Sequence, residues 1–243
     1  MDKTYTAIAR FYDLLMQNVD YVQWFEYIYQ LMSQARREIK DVMDLACGTG
    51  NMTGFLLQAG YNVHGLDSSR QMLEVAKHKL PGVKFFLGDF LNWGIDESYD
   101  AVICVFDSLN NLLVPQEVFL AFKEVLKHLR PGGVFVFDLN TRYGLKQYWG
   151  NNFRITKDEN MVVLWRSRSI KPGFSQLRIT VFAKENDRWQ RAADEVHTER
   201  GYDSPEVIKM MLQAGFRVAR VYDHLTLNPP AQVSGRISYV GIR

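Results

Sequence analysis

The sequence predicts an open, doubly wound α/β fold. The expected sheet has seven strands, mostly parallel with the last strand antiparallel, and a small antiparallel β insertion follows the fifth strand. Between residues 41 and 140, apolar runs of strand length alternate with helix-length segments, which is the pattern of parallel strands joined by right-handed crossovers. From about residue 150 to 200 consecutive strand patterns replace this alternation, and a helix and two strands return afterwards.

The helices are predicted from apolar residues at three- and four-residue spacing and from signals at their ends. Residues 3 to 38 carry such a spacing, rich in aromatic side chains. Asp67 or Ser68 is expected to cap a later helix that Pro81 closes. That helix is expected at residues 68–80, and further helices are expected at residues 51–59, 116–129 and 204–216.

The strands are predicted from apolar runs bounded by residues that favour turns. The motif "RPGG" ends one helix and leads into the fifth strand, and "KPG" and "ND" join the strands of the insertion. Strands of the insertion are expected at residues 160–170, 174–185 and 188–200. Strands of the main sheet are expected at residues 41–46, 61–66, 83–89, 99–107, 134–140, 217–223 and 236–243.

Three regions follow from these patterns. We expect residues 1–40 to form an N-terminal helical cap. We expect residues 41–148 and 201–243 to form the Rossmann-like domain that binds the ligand. Residues 149–200 form the antiparallel insertion, which we expect to serve as a roof over a substrate or as a contact between two subunits.

Composition excludes several classes of protein. The 29 Lys and Arg residues balance 27 Asp and Glu, so the net charge of +2 gives no electrostatic reason to expect a nucleic acid or a membrane surface as partner. Cys47 and Cys104 lack the spacing of a zinc site and the number of a secreted disulfide framework, and we expect no metal. No signal peptide and no apolar run of membrane-spanning length is found, so a cytoplasmic protein is expected.

The stretch "VMDLACGTGNMTGFL", residues 42–56, leads from a strand through a glycine loop into a helix. Ligands of open parallel sheets bind beyond the carboxyl ends of the strands, and Gly48 and Gly50 let a ligand lie against the backbone. Asp67, at the end of the second strand, stands where a carboxylate accepts hydrogen bonds from ribose hydroxyls. To this point NAD and any other adenosine-containing ligand fit equally well.

Three features favour a ligand without phosphate. Asp44, at the end of the first strand, would repel a pyrophosphate and attract an ammonium or sulfonium group. Asn51 and Met52 follow Gly50 where a phosphate loop would have a lysine. The final helix, strand and short strand suit a sheet closed by an antiparallel strand better than six parallel strands.

The motifs "DLACGTG", "GLDSS", "GDF", "YDAVICVFDS" and "LRPGGVFVFD" together resemble those of class I S-adenosylmethionine-dependent methyltransferases. The N-terminal segment and the insertion most resemble small-molecule N-methyltransferases of the glycine N-methyltransferase and amino-sugar dimethyltransferase type. The resemblance implies S-adenosylmethionine as cofactor and S-adenosylhomocysteine as product. An arginine that serves the carboxylate of glycine in that family is replaced here by Asn140, which argues against glycine as the substrate.

The resemblance also implies roles for individual residues. Asp44 would lie near the ammonium group of the cofactor, and Asp67 would hold the ribose. Asp89 would bind the adenine amino group. The other cofactor-binding residues that it implies are Ala46, Gly48 and Gly50 around the methionine part, Met72 and Phe90 along the adenine, Val105 and Phe106 under the methyl group, and Tyr21 and Trp24 above the amino-acid end.

His197 and Asp107 are the candidate catalytic residues. A histidine titrates near neutral pH, and Asp107 follows the fourth strand, where substrate-binding groups of this fold are found. Positioning alone can supply much of the rate of a methyl transfer, so a strong base is not obligatory. We expect a methyltransferase that acts on a small polar acceptor, with an amine as one candidate, in a monomer or homodimer. The alternatives are an RNA-modifying methyltransferase, a non-catalytic protein that binds the cofactor or its product, and an NAD-dependent oxidoreductase.

Overall fold

A computed structural model describes residues 4–243 of the chain. Its helices are α1 (Tyr12–Leu15), α2 (Tyr21–Met32), α3 (Asn51–Gln58), α4 (Arg70–Lys79), α5 (Pro115–His128), α6 (Arg142–Tyr148) and α7 (Ser204–Ala214). Its strands are β1 (Asp41–Leu45), β2 (Asn62–Asp67), β3 (Lys84–Leu87), β4 (Tyr99–Cys104), β5 (Leu129–Asn140), β6 (Phe153–Lys157), β7 (Met161–Lys171), β8 (Phe174–Glu185), β9 (Arg188–Arg200), β10 (Val218–Asp223) and β11 (Arg236–Ile242).

The main sheet confirms the predicted fold class. Its seven strands follow the order β10-β11-β5-β4-β1-β2-β3. The pairs among β1 to β5 are parallel, whereas β11 pairs antiparallel with both β5 and β10. The strand order reverses at β1, because β2 lies on one side of it and β4 on the other, so the carboxyl end of β1 faces the crevice where ligands of such sheets bind.

Helices bury both faces of this sheet. Phe135 and Phe137 of β5 point into one core with α5 and α7, while Val134 and Val136 point into the other core with α2 and α3. This alternation is the period of two that a strand imposes on its side chains. Every residue of β4 is buried, as expected for a central strand covered on both faces.

Local signals set the ends of several elements. The side chain of Ser69 accepts a hydrogen bond from the backbone of Met72 and caps α4, so the cap lies one residue beyond Ser68 and two beyond Asp67, the two predicted caps. The sequence predicts that the "RPGG" motif precedes the fifth strand. In the structure the motif lies within β5, where the pairing of β5 with β4 is irregular. Gly132 adopts a left-handed conformation there, with φ of 78°.

The insertion forms a separate sheet of four strands, in the order β6-β7-β8-β9, and all its pairs are antiparallel. The three predicted strands are present, and Asn186 and Asp187 both have positive φ in the turn between β8 and β9, as a tight hairpin requires. Strand β6 was missed by the prediction. Its residues are mostly exposed and show no alternation between buried and exposed positions, so the sequence carried no strand signal.

No helix within residues 4–243 combines the length and the apolar character needed to cross a membrane.

Candidate functional site

The glycine loop between β1 and α3 brings three left-handed residues together: Ala46, Gly48 and Gly50, with φ of 61°, 54° and 79°. A Cβ atom on Gly48 would find its nearest neighbour, in the Tyr12 ring, 4.0 Å away, so open space lies above this backbone. A Cβ atom on Gly50 would instead lie 3.3 Å from side chains of α4 and of the loop after it. Gly50 therefore permits the turn and the packing of the helices, whereas Gly48 leaves room for a ligand.

Two adjoining cavities lie at this loop, with about 670 Å³ and 360 Å³ of empty space. They share walls formed by Tyr12, Ala46, Gly48, Phe106 and Ser108. The predicted residues that line the larger cavity are Ala46, Gly48, Asp67, Met72, Asp89, Phe90 and Phe106. Those that line the smaller cavity are Tyr21, Asp44, Ala46, Gly48, Val105 and Phe106.

Asp67 and Asp89 supply carboxylates to the larger cavity from the ends of β2 and β3. Asp67 accepts hydrogen bonds from the backbone N–H of Gly48, at 2.9 Å, and of Ser69, at 2.8 Å. Burial raises the pKa of Asp67 although these donors oppose the shift. Asp89 accepts hydrogen bonds from two backbone N–H groups of its own turn on Oδ1 alone. Both carboxylates are thus fixed by the backbone and keep acceptor capacity for a polar ligand.

Asp44 lies at the floor of the smaller cavity. Its side chain is buried and accepts a hydrogen bond of 2.6 Å from the Thr53 hydroxyl. Burial, reinforced by the nearby charge of Asp67, raises the pKa of Asp44 to about 7, although the Thr53 hydrogen bond opposes the rise. A cation bound in this cavity would remove the main cost of ionising Asp44, so the site fits the ammonium group of an amino acid.

Aromatic side chains surround the junction of the two cavities. Phe106 lines both and has a left-handed backbone, with φ of 61°. The ring of Tyr21 meets it edge-on with centroids 5.4 Å apart, and the ring of Trp24 lies 4.1 Å from it. Trp24 lines neither cavity. Its contact with the site therefore passes through Phe106, whereas Tyr21 reaches the smaller cavity directly.

Asp107 belongs to a charged network beside this junction, in which Asp138 and Glu199 are buried and Asp107 and Arg236 are partly buried. The Arg236 guanidinium lies 3.0 Å from Asp107 and 2.8 Å from Asp138, and the Asn140 amide donates to Asp107 at 2.6 Å and to Glu199 at 3.0 Å. Burial and the neighbouring Asp107 charge raise the pKa of Glu199 well above its usual range. Burial also raises the pKa of Asp138 to about 6. Asp107 lines neither cavity, but Phe106 and Ser108 on either side of it do.

His197 lies deeper than the sequence suggested. It is 1% exposed and lines neither cavity. Its ring contacts the Tyr5 ring at a tilt of 47°, with centroids 4.4 Å apart, and its Nε2 lies 3.3 Å from a Glu195 oxygen. Tyr5 lines the larger cavity, so His197 reaches that cavity only through the Tyr5 ring.

Part of the wall comes from residues to which the resemblance assigns no role, most of them in the N-terminal segment. Thr4, Tyr5 and Tyr12 line the larger cavity together with Ser108 and Asn111. Tyr5 and Tyr12 are aromatic residues in a segment that reads as helical, and such residues are more often part of a core. Their proximity to the glycine loop depends on contacts with residues far along the chain, which a single sequence does not display.

A second cleft separates the N-terminal cap from the insertion. Residues 14–19 form one side, and the other side includes Trp149, Phe153 and Trp165. Arg154 lies over the Trp165 ring at 4.8 Å. This cleft lies outside the two cavities of the glycine loop.

Comparison with known proteins agrees with this geometry. A family model described as "Methyltransferase domain" matches residues 42–133. The protein YqeM of Bacillus subtilis (strain 168), which carries a provisional methyltransferase name, is 29% identical over 239 residues, 97% of this chain and 95% of that protein. The dTDP-3-amino-3,4,6-trideoxy-alpha-D-glucopyranose N,N-dimethyltransferase of Streptomyces venezuelae is 30% identical over 132 residues, 54% of this chain and 56% of that protein.

The crystal structure of an S-adenosylmethionine-dependent methyltransferase from Clostridium acetobutylicum ATCC 824 superposes with a TM-score of 0.86 and 29% identity, and covers 97% of each chain. The match therefore includes the N-terminal cap and the insertion as well as the main sheet. The chain belongs to the class I S-adenosylmethionine-dependent methyltransferases, and S-adenosylmethionine is its cofactor.

Proposed function

We propose that this methyltransferase transfers the methyl group to the amine nitrogen of a small polar molecule. The observation that carries the proposal is the charge of the network beside Phe106. One guanidinium, that of Arg236, faces two carboxylates, Asp107 and Asp138, and Glu199 is a third acid. Even with Glu199 protonated, this network, which adjoins the cavities through Phe106 and Ser108, has more acidic than basic groups, so it favours an ammonium group over an anionic acceptor.

The relatives are compatible with an amine acceptor. The Streptomyces venezuelae protein that matches about half of this chain is by its name an N,N-dimethyltransferase of an amino sugar. An amino sugar is a small polar molecule with a basic nitrogen, which is the kind of acceptor that the charged network favours.

We assign the cofactor to the two cavities. Asp67 and Asp89 would hold the ribose and the adenine, with Met72 and Phe90 beside the base. Asp44 would hold the ammonium group in the smaller cavity, which leaves Val105, Phe106 and Tyr21 around the methyl group. When bound, S-adenosylmethionine supplies a methyl group on a sulfonium that is already an activated leaving group.

The residues of this chain then have two tasks. The ring of Phe106, held by Tyr21 and Trp24, excludes water from the reacting atoms and fixes the direction of approach. An amine that arrives as an ammonium must lose one proton before its nitrogen can attack. We infer that Asp107 accepts this proton, because it lies between Phe106 and Ser108, which line both cavities, although Asp107 itself lines neither. We do not assign this task to His197, because Tyr5 stands between its ring and the cavity.

The insertion serves in this proposal as the roof of the site. Glu195, His197 and Glu199 of β9 are all buried and lie against residues of the cavity wall or of the charged network. The outer strand β6 leaves Phe153 and Ile155 exposed, and these side chains are the surface on which the homodimer alternative would depend. A roof and a dimer contact use different faces, so the two roles are compatible.

The experiment is transfer of labelled methyl groups. The protein is incubated with S-adenosylmethionine carrying a tritiated methyl group and with either a fractionated metabolite extract or total tRNA. We expect label in a basic small-molecule fraction, and we expect Asp107→Asn to lower the rate by about 100-fold or more. Asp96→Asn, at an exposed aspartate outside the site, is the matched control.

Each other outcome points to a different function. Label on tRNA would favour an RNA-modifying enzyme, and label on an acidic or neutral compound would contradict the amine assignment. Tight binding of the cofactor without transfer to either pool would favour a non-catalytic binding protein.

A further inference from the structure

Residues 4–13 form a segment, here named the N-terminal strap, that supplies one wall of the larger cavity. Thr4, Tyr5 and Tyr12 of the strap line this cavity, and Asp67 and Asp89 line it from the main sheet. A nucleoside bound there would lie between the sheet and the strap. Because the strap covers one side of this cavity, its movement would widen the opening through which the cofactor enters and the product leaves.

One carboxylate of the insertion fixes the front of the strap. The Glu195 side chain accepts hydrogen bonds from the backbone N–H of Tyr5, at 2.7 Å, and of Thr6, at 2.8 Å, and it also accepts from Ala7 and Ile8. Burial alone would raise the pKa of Glu195, but His197 and these backbone donors outweigh it and hold the pKa below its usual value. Hydrogen bonds to an ionised acceptor are stronger than neutral ones.

Other contacts hold the strap at different points. The Ser69 hydroxyl donates to the Tyr5 carbonyl at 2.9 Å. At the far end, Asp13 accepts hydrogen bonds from Thr49, at 2.6 Å, and from Asn51, at 3.1 Å, both in or beside the glycine loop. The far end is thus attached to the glycine loop. The front is attached to the insertion through Glu195 and through Ile8, whose buried side chain belongs to one apolar cluster with Val163, Ile179 and Val181.

The backbone of Tyr5 is in the left-handed region, with φ of 59°. A tyrosine pays a conformational cost in that region, so its position depends on the surrounding contacts. Four consecutive N–H groups that converge on one carboxylate are such contacts. When the strap opens, the donors and the carboxylate are all hydrated by water, and the strain at Tyr5 is released.

We propose that Glu195 is a positioning residue that latches the N-terminal strap over the cofactor cavity and thereby sets the rates at which the cofactor enters and the product leaves. Glu195 touches neither cavity, so it acts through Tyr5 and the following residues. The inference rests on the proposed assignment of the larger cavity to the cofactor, and it adds a route of entry and release to that assignment.

The test is the kinetics of binding in Glu195→Gln. In the wild type, both carboxylate oxygens of Glu195 accept hydrogen bonds from backbone N–H groups of the strap. The glutamine keeps one acceptor oxygen, but its NH₂ group replaces the other and cannot accept these hydrogen bonds. Tritiated S-adenosylmethionine is bound to the full-length protein and chased with unlabelled S-adenosylhomocysteine. We expect dissociation to be faster by about tenfold or more, which corresponds to the loss of one hydrogen bond to a charged group, and association to be at least as fast as in the wild type.

Two controls separate the latch from a merely structural effect. Glu185→Gln removes another carboxylate of the insertion that contacts the strap, through an exposed ion pair of 3.5 Å with Arg10, and should leave both rates unchanged. Trypsin cleavage after Arg10, which is exposed, reports opening of the strap directly. Bound S-adenosylhomocysteine should slow this cleavage in the wild type and much less in Glu195→Gln.

The outcomes discriminate between the latch and the site assignment. Rates in Glu195→Gln within about twofold of both the wild type and Glu185→Gln would overturn the latch, as would faster dissociation accompanied by slower association. Glu195→Asp, which keeps the charge but shortens the reach, is measured in the same way if the glutamine variant does not fold. Asp67→Asn must weaken cofactor binding in parallel; if it does not, the assignment of the cavity fails, whatever Glu195 does.

Discussion

At the scale of single residues, Asp44 decides between classes of ligand. A carboxylate that is 1% exposed and receives hydrogen bonds only from the hydroxyl and backbone of Thr53 is costly to ionise, and its pKa of about 7 expresses that cost. A phosphate in the smaller cavity would make Asp44 still harder to ionise, whereas an ammonium group would stabilise its ionised form. The acidic residue that the sequence placed ahead of the glycine loop is therefore suited to an amino-acid ligand in the folded protein.

This residue predicts how cofactor binding depends on pH. Between about pH 5.5 and about pH 7.5 the free protein loses the proton of Asp44. Binding of the ammonium group then no longer requires the free energy of deprotonating Asp44. We expect the affinity for S-adenosylhomocysteine to increase by about tenfold across this range in the wild type. Asp44→Asn should bind more weakly and show little dependence on pH. Isothermal titration calorimetry at several pH values measures both.

The stability of the free protein should change in the opposite direction. Because the folded pKa of Asp44 is raised, the folded state binds more protons than the unfolded state between about pH 4 and about pH 7, and the free energy of unfolding decreases as pH rises through that window. Asp44→Asn removes this contribution. Its melting temperature relative to the wild type should therefore increase from about pH 5 to about pH 8, and a difference that is constant with pH would contradict the assignment.

At the scale of elements, the sequence was most informative where burial is continuous. Strands β1, β2, β4 and the second half of β5 were predicted because strands covered on both faces read as apolar runs between turn residues. Strand β6 and helix α6 were missed. The strand is an exposed edge, and the helix has only seven residues, too few to display an apolar stripe.

Some residues of the candidate site could likewise be predicted from the sequence, and others could not. The side chains at the carboxyl ends of β1, β2 and β3 could be brought together from sequence, because parallel strands end at one edge of the sheet. The latch between Glu195 and Tyr5 could not be, since the two residues are 190 positions apart and their contact is to backbone N–H groups. Arg236 of the charged network was missed for a similar reason: it lies on the last strand and pairs with acids of two other elements.

Helix α6, which leads from β5 into the insertion, provides a test of packing. A Cβ atom on Gly144 would lie 1.9 Å from the carbonyl oxygen of Gly235, so α6 and the loop before β11 could not keep their present distance. We expect Gly144→Ala to lower the free energy of unfolding by about 1 to 3 kcal/mol, the usual cost of overpacking. Gly82→Ala is the control, because a Cβ atom there meets nothing within 4 Å. Denaturant unfolding of both variants measures the difference, and equal stabilities would show that α6 shifts freely.

At the scale of the whole molecule, the two sheets contribute different parts of one site. The main sheet supplies the glycine loop and three carboxylates at the ends of its strands, Asp44, Asp67 and Asp89. The insertion supplies Glu195 to the strap and Glu199 to the charged network. In the proposed mechanism the sheet therefore holds the cofactor, and the insertion controls access to it and the charge at the acceptor side.

The central claim is that these cavities bind S-adenosylmethionine and its product in preference to a nicotinamide cofactor. Thermal unfolding with S-adenosylhomocysteine, NAD and NADP in parallel tests it most directly. A ligand at about 100 times its dissociation constant adds about 2.7 kcal/mol, which corresponds to about 5 to 10 °C for a chain of this size. We predict that S-adenosylhomocysteine produces such a rise and that the dinucleotides do not. A rise with NAD or NADP alone would contradict the account.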